Sequence, residues 1–103
     1  MALELRPNCE YCDRDLPPDA VDALICTFEC TFCARCAEER LRNVCPNCGG
    51  GFQARPIRPR TEWRAGLSLA QRPASTRRIV LSYAREDIAA FTERLSRIPP
   101  ASR

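Results

Sequence analysis

The side chains of this 103-residue chain with the clearest chemistry are eight cysteines, and the chain contains no histidine. All eight lie in its first half: Cys9, Cys12, Cys26, Cys30, Cys33, Cys36, Cys45 and Cys48. Two cysteines separated by two residues can bring both thiolates to one metal ion, and four thiolates complete a tetrahedral site. The spacing therefore predicts two closed four-cysteine sites with no thiol left over.

A disulfide framework is the competing use of eight cysteines. Residues 1–7 carry no basic region, apolar stretch or cleavage site, so we expect a cytoplasmic protein whose thiols stay reduced. A disulfide between cysteines separated by two residues would close a very short loop and stabilise little. Metal ligation is the favoured prediction. No apolar run approaches membrane-spanning length, and no membrane partner is expected.

Few apolar residues besides the cysteines occur in the first 50 positions. A core of that size is marginal alone, and bound metal is a usual remedy. Structural zinc contributes about 10–16 kcal/mol in small finger peptides, so we expect a largely unfolded metal-free form. Two Zn²⁺ ions are the expected cofactors. Iron stays an alternative, because residues 45–49 resemble a rubredoxin knuckle and thiolate softness does not separate the two metals.

The elements that must position these thiols follow a simple order of knuckle, hairpin, helix and knuckle. We predict a knuckle at 9–12, a strand at 21–26, a turn at 27–29, a return strand at 30–33, a helix at 34–42 and a second knuckle at 45–48. A helix whose first turn carries Cys33 and Cys36 directs both thiolates to the ion held by Cys9 and Cys12.

The ligand grouping that follows from this order is interleaved along the chain, as in a treble clef. The first site comprises Cys9, Cys12, Cys33 and Cys36, and the second comprises Cys26, Cys30, Cys45 and Cys48. The alternative is sequential: Cys9, Cys12, Cys26 and Cys30 in one site, and Cys33, Cys36, Cys45 and Cys48 in the other. That scheme would need the short link between Cys30 and Cys33 to join two completed sites.

The stretch Cys-Thr-Phe-Glu-Cys-Thr-Phe-Cys-Ala-Arg-Cys at residues 26–36 resembles the core of the RING finger, with Cys30 where a histidine often sits. The resemblance spans residues 9–48 and implies a small zinc-stabilised α+β fold, a RING-like treble clef. Ubiquitin transfer is not expected, because Glu10 and Gly49 stand where RING ligases usually carry an apolar and a basic residue. Closed four-cysteine sites also offer no open position for catalysis, so we expect no enzyme.

Residues 3–9, 12–18, 45–50, 55–59 and 73–76 resemble an uncharacterised family of small bacterial cysteine-rich proteins. That resemblance implies a bacterial protein, and it implies no activity. We divide the chain into a two-zinc RING-like domain (1–52), an Arg/Pro-rich arm with a short helix at 61–71 (53–78), and a strand with an amphipathic C-terminal helix (79–103).

The two halves differ in charge: residues 1–50 hold five Arg and nine acids, and residues 51–103 hold eleven Arg and four acids. The basic arm could contact nucleic acid, with arginines on phosphates and a tryptophan stacked on a base. The candidate contacts are Arg55, Arg58, Arg60, Trp63, Arg64, Arg77 and Arg78. The favoured alternative is that the arm returns to the acidic zinc domain, with Trp63 covering its core.

The C-terminal segment predicts a strand at 79–83 and a helix at 84–98, with acids in its first turn and Arg in its last. Its apolar stripe comprises Ile88, Phe91, Leu95 and Ile98. This stripe packs either on the zinc domain or on a second copy. The function predicted from all these features is a non-catalytic zinc-binding adaptor that contacts a protein partner. Nucleic-acid binding through the arm and a redox-responsive zinc switch are the alternatives.

Overall fold

A three-stranded antiparallel sheet lies at the centre of the computed structural model, which describes residues 2–103. Strand β1 (Ala23–Ile25) pairs with β2 (Thr31–Cys33) on one side and with β3 (Gln53–Ala54) on the other. The predicted hairpin is present, with shorter strands. The turn is closed by a hydrogen bond from the Glu29 N–H to the Cys26 carbonyl at 3.2 Å.

The predicted helix at 34–42 forms only in part. Residues Cys36–Arg40 make a single π-helical turn, in which the Leu41 N–H bonds the Cys36 carbonyl at 2.9 Å. Arg42 and Asn43 follow with φ angles of 44° and 62°. Two consecutive left-handed residues reverse the chain, so the segment ends early although its residues are good helix formers.

The core between sheet and π-helical turn is small and includes most of the sulfur atoms. Phe32, Leu41 and Val44 are fully buried, as are Leu16 and several cysteines. The rings of Phe32 and Phe52 lie 5.3 Å apart between centroids, a favourable tilted contact. A core of this size is consistent with a fold that needs stabilising interactions besides apolar packing.

The second half differs from the prediction in two places. No helix forms at 61–71, where Gly66 has a φ of 80°, a conformation that an α-helix does not contain. No strand forms at 79–83, because this segment lies beside the first knuckle and makes one backbone bond to it, from the Leu81 N–H to the Glu10 carbonyl at 2.9 Å. The C-terminal helix, α1, spans Arg85–Leu95, and a 3-10 turn at Pro100–Ser102 follows it.

Residues 75–81 form a strap across the N-terminal segment. The Ser75 N–H bonds the Leu5 carbonyl at 3.0 Å, and the buried Asn8 side chain donates to the Ile79 carbonyl at 2.8 Å. Arg78 pairs with Asp13 and Asp15 at 2.9 and 2.7 Å. The arm therefore returns to the acidic half. Among residues 2–103, no helix has the length and apolar character that crossing a membrane requires.

Candidate metal centres

The first group of thiols joins the N-terminal knuckle to the end of the hairpin. The sulfurs of Cys9, Cys12, Cys33 and Cys36 all lie within 4.8 Å of one another, with Cys12 and Cys33 at 3.9 Å. Cys33 ends β2 and Cys36 begins the π-helical turn, so these two elements fix one pair of thiols. Three of the four cysteines are buried, and only Cys12 is exposed.

The second group joins the hairpin turn to the second knuckle. The sulfurs of Cys26, Cys45 and Cys48 lie within 4.8 Å of one another. Cys30 completes the group through its thiol contact with Cys45, which lowers the pKa of Cys30 to about 5. The same contact, together with burial, raises the pKa of Cys45. The thiols are thus grouped in the interleaved order rather than the sequential order, and all eight are free of disulfides.

Backbone amides approach the sulfurs in a repeated pattern. The Phe28 N–H donates to Cys26 Sγ at 3.3 Å, and the Gly50 N–H donates to Cys48 Sγ at 3.4 Å. The same contact, from the residue two positions along the chain, reaches three further cysteines: Cys9, Cys12 and Cys45. An amide that donates to sulfur stabilises the thiolate form, and such outer contacts orient a metal ligand.

Crowding of the thiols opposes the loss of all their protons when no cation is present. Burial, followed by the charge of the neighbouring Cys9, raises the pKa of Cys36 well above its usual range. Burial likewise raises the pKa of Cys26 to about 11. A divalent cation removes this penalty by neutralising the thiolates, and four thiolates are the donor set of closed structural metal sites. The donor chemistry of both groups fits a metal ion.

A buried carboxylate links the two groups, and the sequence did not predict this role. Glu10, which follows Cys9 in the first knuckle, is 1% exposed. It accepts hydrogen bonds from the Thr31 N–H at 2.7 Å, Arg6 at 2.9 Å and the Asn47 side chain at 3.3 Å. Burial raises its pKa, and the bonds from Thr31 and Arg6 oppose that rise. The sequence signal for this role was the presence of an acidic residue between the two cysteines of a knuckle.

The structure corrects part of the predicted nucleic-acid contact set. Arg55 is 4% exposed, and its guanidinium donates to the carbonyls of Arg6, Leu16 and Pro17 at 2.8, 3.3 and 2.9 Å. Burial lowers its pKa. Because this guanidinium is enclosed by the fold, Arg55 has no surface to offer a phosphate, and the prediction for this residue is wrong.

Two other predicted contacts are also engaged within the chain. Arg78 holds Asp13 and Asp15, and Arg58 donates to the backbone carbonyls of Leu3 and Arg72. The remaining members of the set, Arg60, Trp63, Arg64 and Arg77, are exposed. Trp63 is 78% exposed, so it does not cover the core as the alternative prediction proposed.

The apolar stripe of α1 lies against the second knuckle. Ile88 is 3% exposed, and Phe91, Leu95 and Ile98 are half-buried. A Cβ placed on Gly49 would lie 3.1 Å from Leu95 Cδ1 and 3.6 Å from Phe91 Cζ. The stripe therefore packs within the chain, which leaves little apolar surface for self-association through the same face.

These features define a small cysteine-rich α+β protein with two four-cysteine groups that could hold metal ions. The chain belongs to the family described as a protein of unknown function (DUF1272), whose sequence profile matches residues 2–58. An uncharacterised protein of Rhizobium meliloti (strain 1021) is 60% identical over 78 residues, which cover 76% of this chain and 86% of that protein. No solved structure matches the chain. The predicted resemblance to an uncharacterised bacterial family is confirmed.

Proposed function

We propose that the protein is a two-zinc structural module of RING-like, treble-clef type. The observation that carries the proposal is the convergence of seven thiols into groups of four and three, with Cys30 in contact with Cys45 of the second group and backbone amides directed at the sulfurs. A hairpin followed by a helical turn that carries Cys36 supports the treble-clef assignment. Reduced thiols require a reducing compartment, so we place the protein in the cytoplasm.

The proposed role is that of a non-catalytic adaptor for a protein partner. Catalytic zinc keeps one coordination position open for water or substrate, whereas four thiolates fill a tetrahedral site. In both groups all four sulfurs come from this chain. A bound metal ion would therefore stabilise the fold and would have no coordination position open for a reactant. The arginine-bearing second half is fastened to this module by the strap, and this supports a role in presenting a charged surface.

Elemental analysis of purified, reduced protein tests the metal proposal. We expect two zinc ions per chain, and one in Cys33→Ser or Cys45→Ser variants that remain folded. Thr27→Ser, in the hairpin turn, is the control and should keep both ions. One metal or none in the unaltered chain would reject the proposal, and a coloured preparation with visible absorption would identify iron in place of zinc.

Nucleic-acid binding is the second candidate function, on a reduced set of residues. Trp63 is 78% exposed, and Arg60 and Arg64 beside it are exposed and make no ion pair within residues 2–103. An exposed aromatic ring flanked by free guanidiniums suits a single strand. An electrophoretic shift assay with single-stranded RNA and DNA at low salt tests it, with Trp63→Ala expected to weaken binding and Tyr83→Ala as the control.

The redox-switch alternative is supported by one observation, namely that each group contains one exposed cysteine, Cys12 and Cys48. Oxidants would meet these two thiolates first. Zinc release by hydrogen peroxide, followed with a colorimetric chelator, tests the alternative. Release that thioredoxin or another thiol reductant reverses would support a switch, and irreversible release would indicate damage.

A further inference from the structure

A groove rich in arginine covers the first thiol group. It encloses about 620 Å³, and its floor contains the exposed Cys12 with two of its partner cysteines. We name this surface the arginine groove. Its walls are formed by Tyr11, Arg14, Arg35, Arg40 and Arg85. Along residues 2–103 the lining includes no acidic side chain. Four guanidiniums therefore surround one concave surface.

Two of these arginines stand free of carboxylates. Arg85, at the start of α1, lies 3.7 Å from the Tyr11 ring centroid and donates to the Tyr11 carbonyl at 2.9 Å. Arg40, at the end of the π-helical turn, lies 5.9 Å from the same centroid. In the described part of the chain Arg40 makes no ion pair. The ring holds both cations in position, with their donors unused by acids.

The other two arginines already bind carboxylates at the rim. Arg14 pairs with Asp22 at 3.0 Å, and Arg35 pairs with Glu39 at 3.2 Å. All four side chains are about one third exposed or more, and exposed pairs of this kind contribute about 0–1 kcal/mol. A carboxylate from another molecule can therefore replace either one at small cost. Both rim arginines thus already bind carboxylates within the chain.

We propose that the arginine groove binds an acidic segment of a partner protein, with Arg40 and Arg85 as the first carboxylate contacts. Carboxylates fit the guanidinium fork, which can form two parallel hydrogen bonds. A zinc ion with four thiolates carries a charge of about −2, so the floor repels a dianionic phosphoryl group. An extended peptide instead places single charges along the rim and keeps them away from the floor. This inference rests on the proposed zinc-bound adaptor and names the chemistry of its partner.

The test uses the zinc-loaded full chain and a fluorescein-labelled peptide of eight glutamates, followed by fluorescence anisotropy at low salt. We expect binding that weakens as salt is added. The double variant R40A/R85A should bind about tenfold more weakly, as the sum of two exposed pairs predicts. The matched control is R94A/R97A, which removes the same charge from the far end of α1. It should bind within about twofold of the unaltered chain, since Arg94 and Arg97 lie outside the groove.

Zinc content, measured on every sample, separates failure of the groove from failure of the metal proposal. Arg85 packs on Tyr11, so R40A/R85A also removes contacts within the fold. The single variant R40A removes no internal hydrogen bond and is therefore the second probe. It should weaken binding about threefold. Protein with both zinc ions that ignores the peptide would overturn the inference. Equal losses in R40A/R85A and R94A/R97A would also overturn it. So would an eight-nucleotide single strand that binds more tightly than the peptide and loses affinity in R40A/R85A.

Discussion

The carboxylate of Glu10, which follows Cys9 in the first knuckle, accepts hydrogen bonds from the Thr31 N–H, next to Cys30, and from the Asn47 side chain of the second knuckle. We predict that Glu10→Gln lowers the free energy of unfolding by about 2 kcal/mol, because the partly buried Arg6 then loses its ion pair with Glu10 and keeps only the one with Glu4. Urea unfolding of the metal-loaded protein measures this. The control is Glu38→Gln, at an exposed position, and equal midpoints for the two variants would contradict the prediction.

Arg55 is the second residue whose loss should be costly. Arg55→Met keeps the apolar stem and removes the donors to three backbone carbonyls, so we expect a loss of about 2–4 kcal/mol. Arg60→Met, at an exposed position of the same arm, should change stability by less than about 0.5 kcal/mol. Thermal unfolding of both variants decides the matter, and a stable Arg55→Met protein would show that the carbonyls find water.

Among the elements, the docking of α1 on the second knuckle can be tested with two glycines of the same backbone conformation. Gly49 has φ 81° and Gly66 has φ 80°, so alanine is strained at both, by about 1 kcal/mol. Only at Gly49 would the new Cβ approach Leu95, at 3.1 Å, whereas Gly66 has nothing within 4 Å. We expect Gly49→Ala to unfold at a lower temperature than Gly66→Ala and to release zinc faster. Equal behaviour would mean that α1 does not constrain the knuckle.

The hairpin and α1 could be predicted from the sequence because their signals are local. A short apolar run precedes the Thr27–Phe28 turn, and α1 carries Glu86 and Asp87 in its first turn and Arg94 in its last. β3 could not be predicted, since it is two residues long and exists only by pairing with β1. The helix predicted at 61–71 fails at Gly66, whose φ of 80° lies outside the helical region, and the strand predicted at 79–83 is replaced by a contact with the distant first knuckle, which local propensity does not record.

The grouping of the thiols could be predicted from the sequence, whereas the contacts of the arginines could not. Two thiols separated by two residues can reach one ion, and the order of hairpin and helical turn predicts that Cys33 pairs with Cys36 rather than with Cys30, which has the same spacing. By contrast, Arg55 and Arg60 lie in the same proline-rich stretch and look alike in sequence, yet one is buried and the other exposed. Only the path of the whole chain distinguishes them.

For the whole molecule, the strap connects the metal-binding half to the arm. We predict that a chain ending at residue 74 releases zinc to a chelator faster than the full chain, because Asn8 loses its bonds to Ile79 and Glu10 loses the amide of Leu81. A chain ending at residue 83 keeps the strap and lacks α1, and it separates the two contributions. Identical release from the 74-residue and 83-residue chains would show that the strap is a passive connection.

The interleaved order of the cysteines also governs how the protein is made. During synthesis the last thiol of the first group, Cys36, leaves the ribosome before Cys45 and Cys48 do. At about 5–20 residues per second, the interval between Cys36 and Cys48 is about one second. Through that interval Cys26 and Cys30 wait without their partners. Metal shortage during translation would therefore leave a nascent chain half-loaded, with its hairpin thiols open to oxidation.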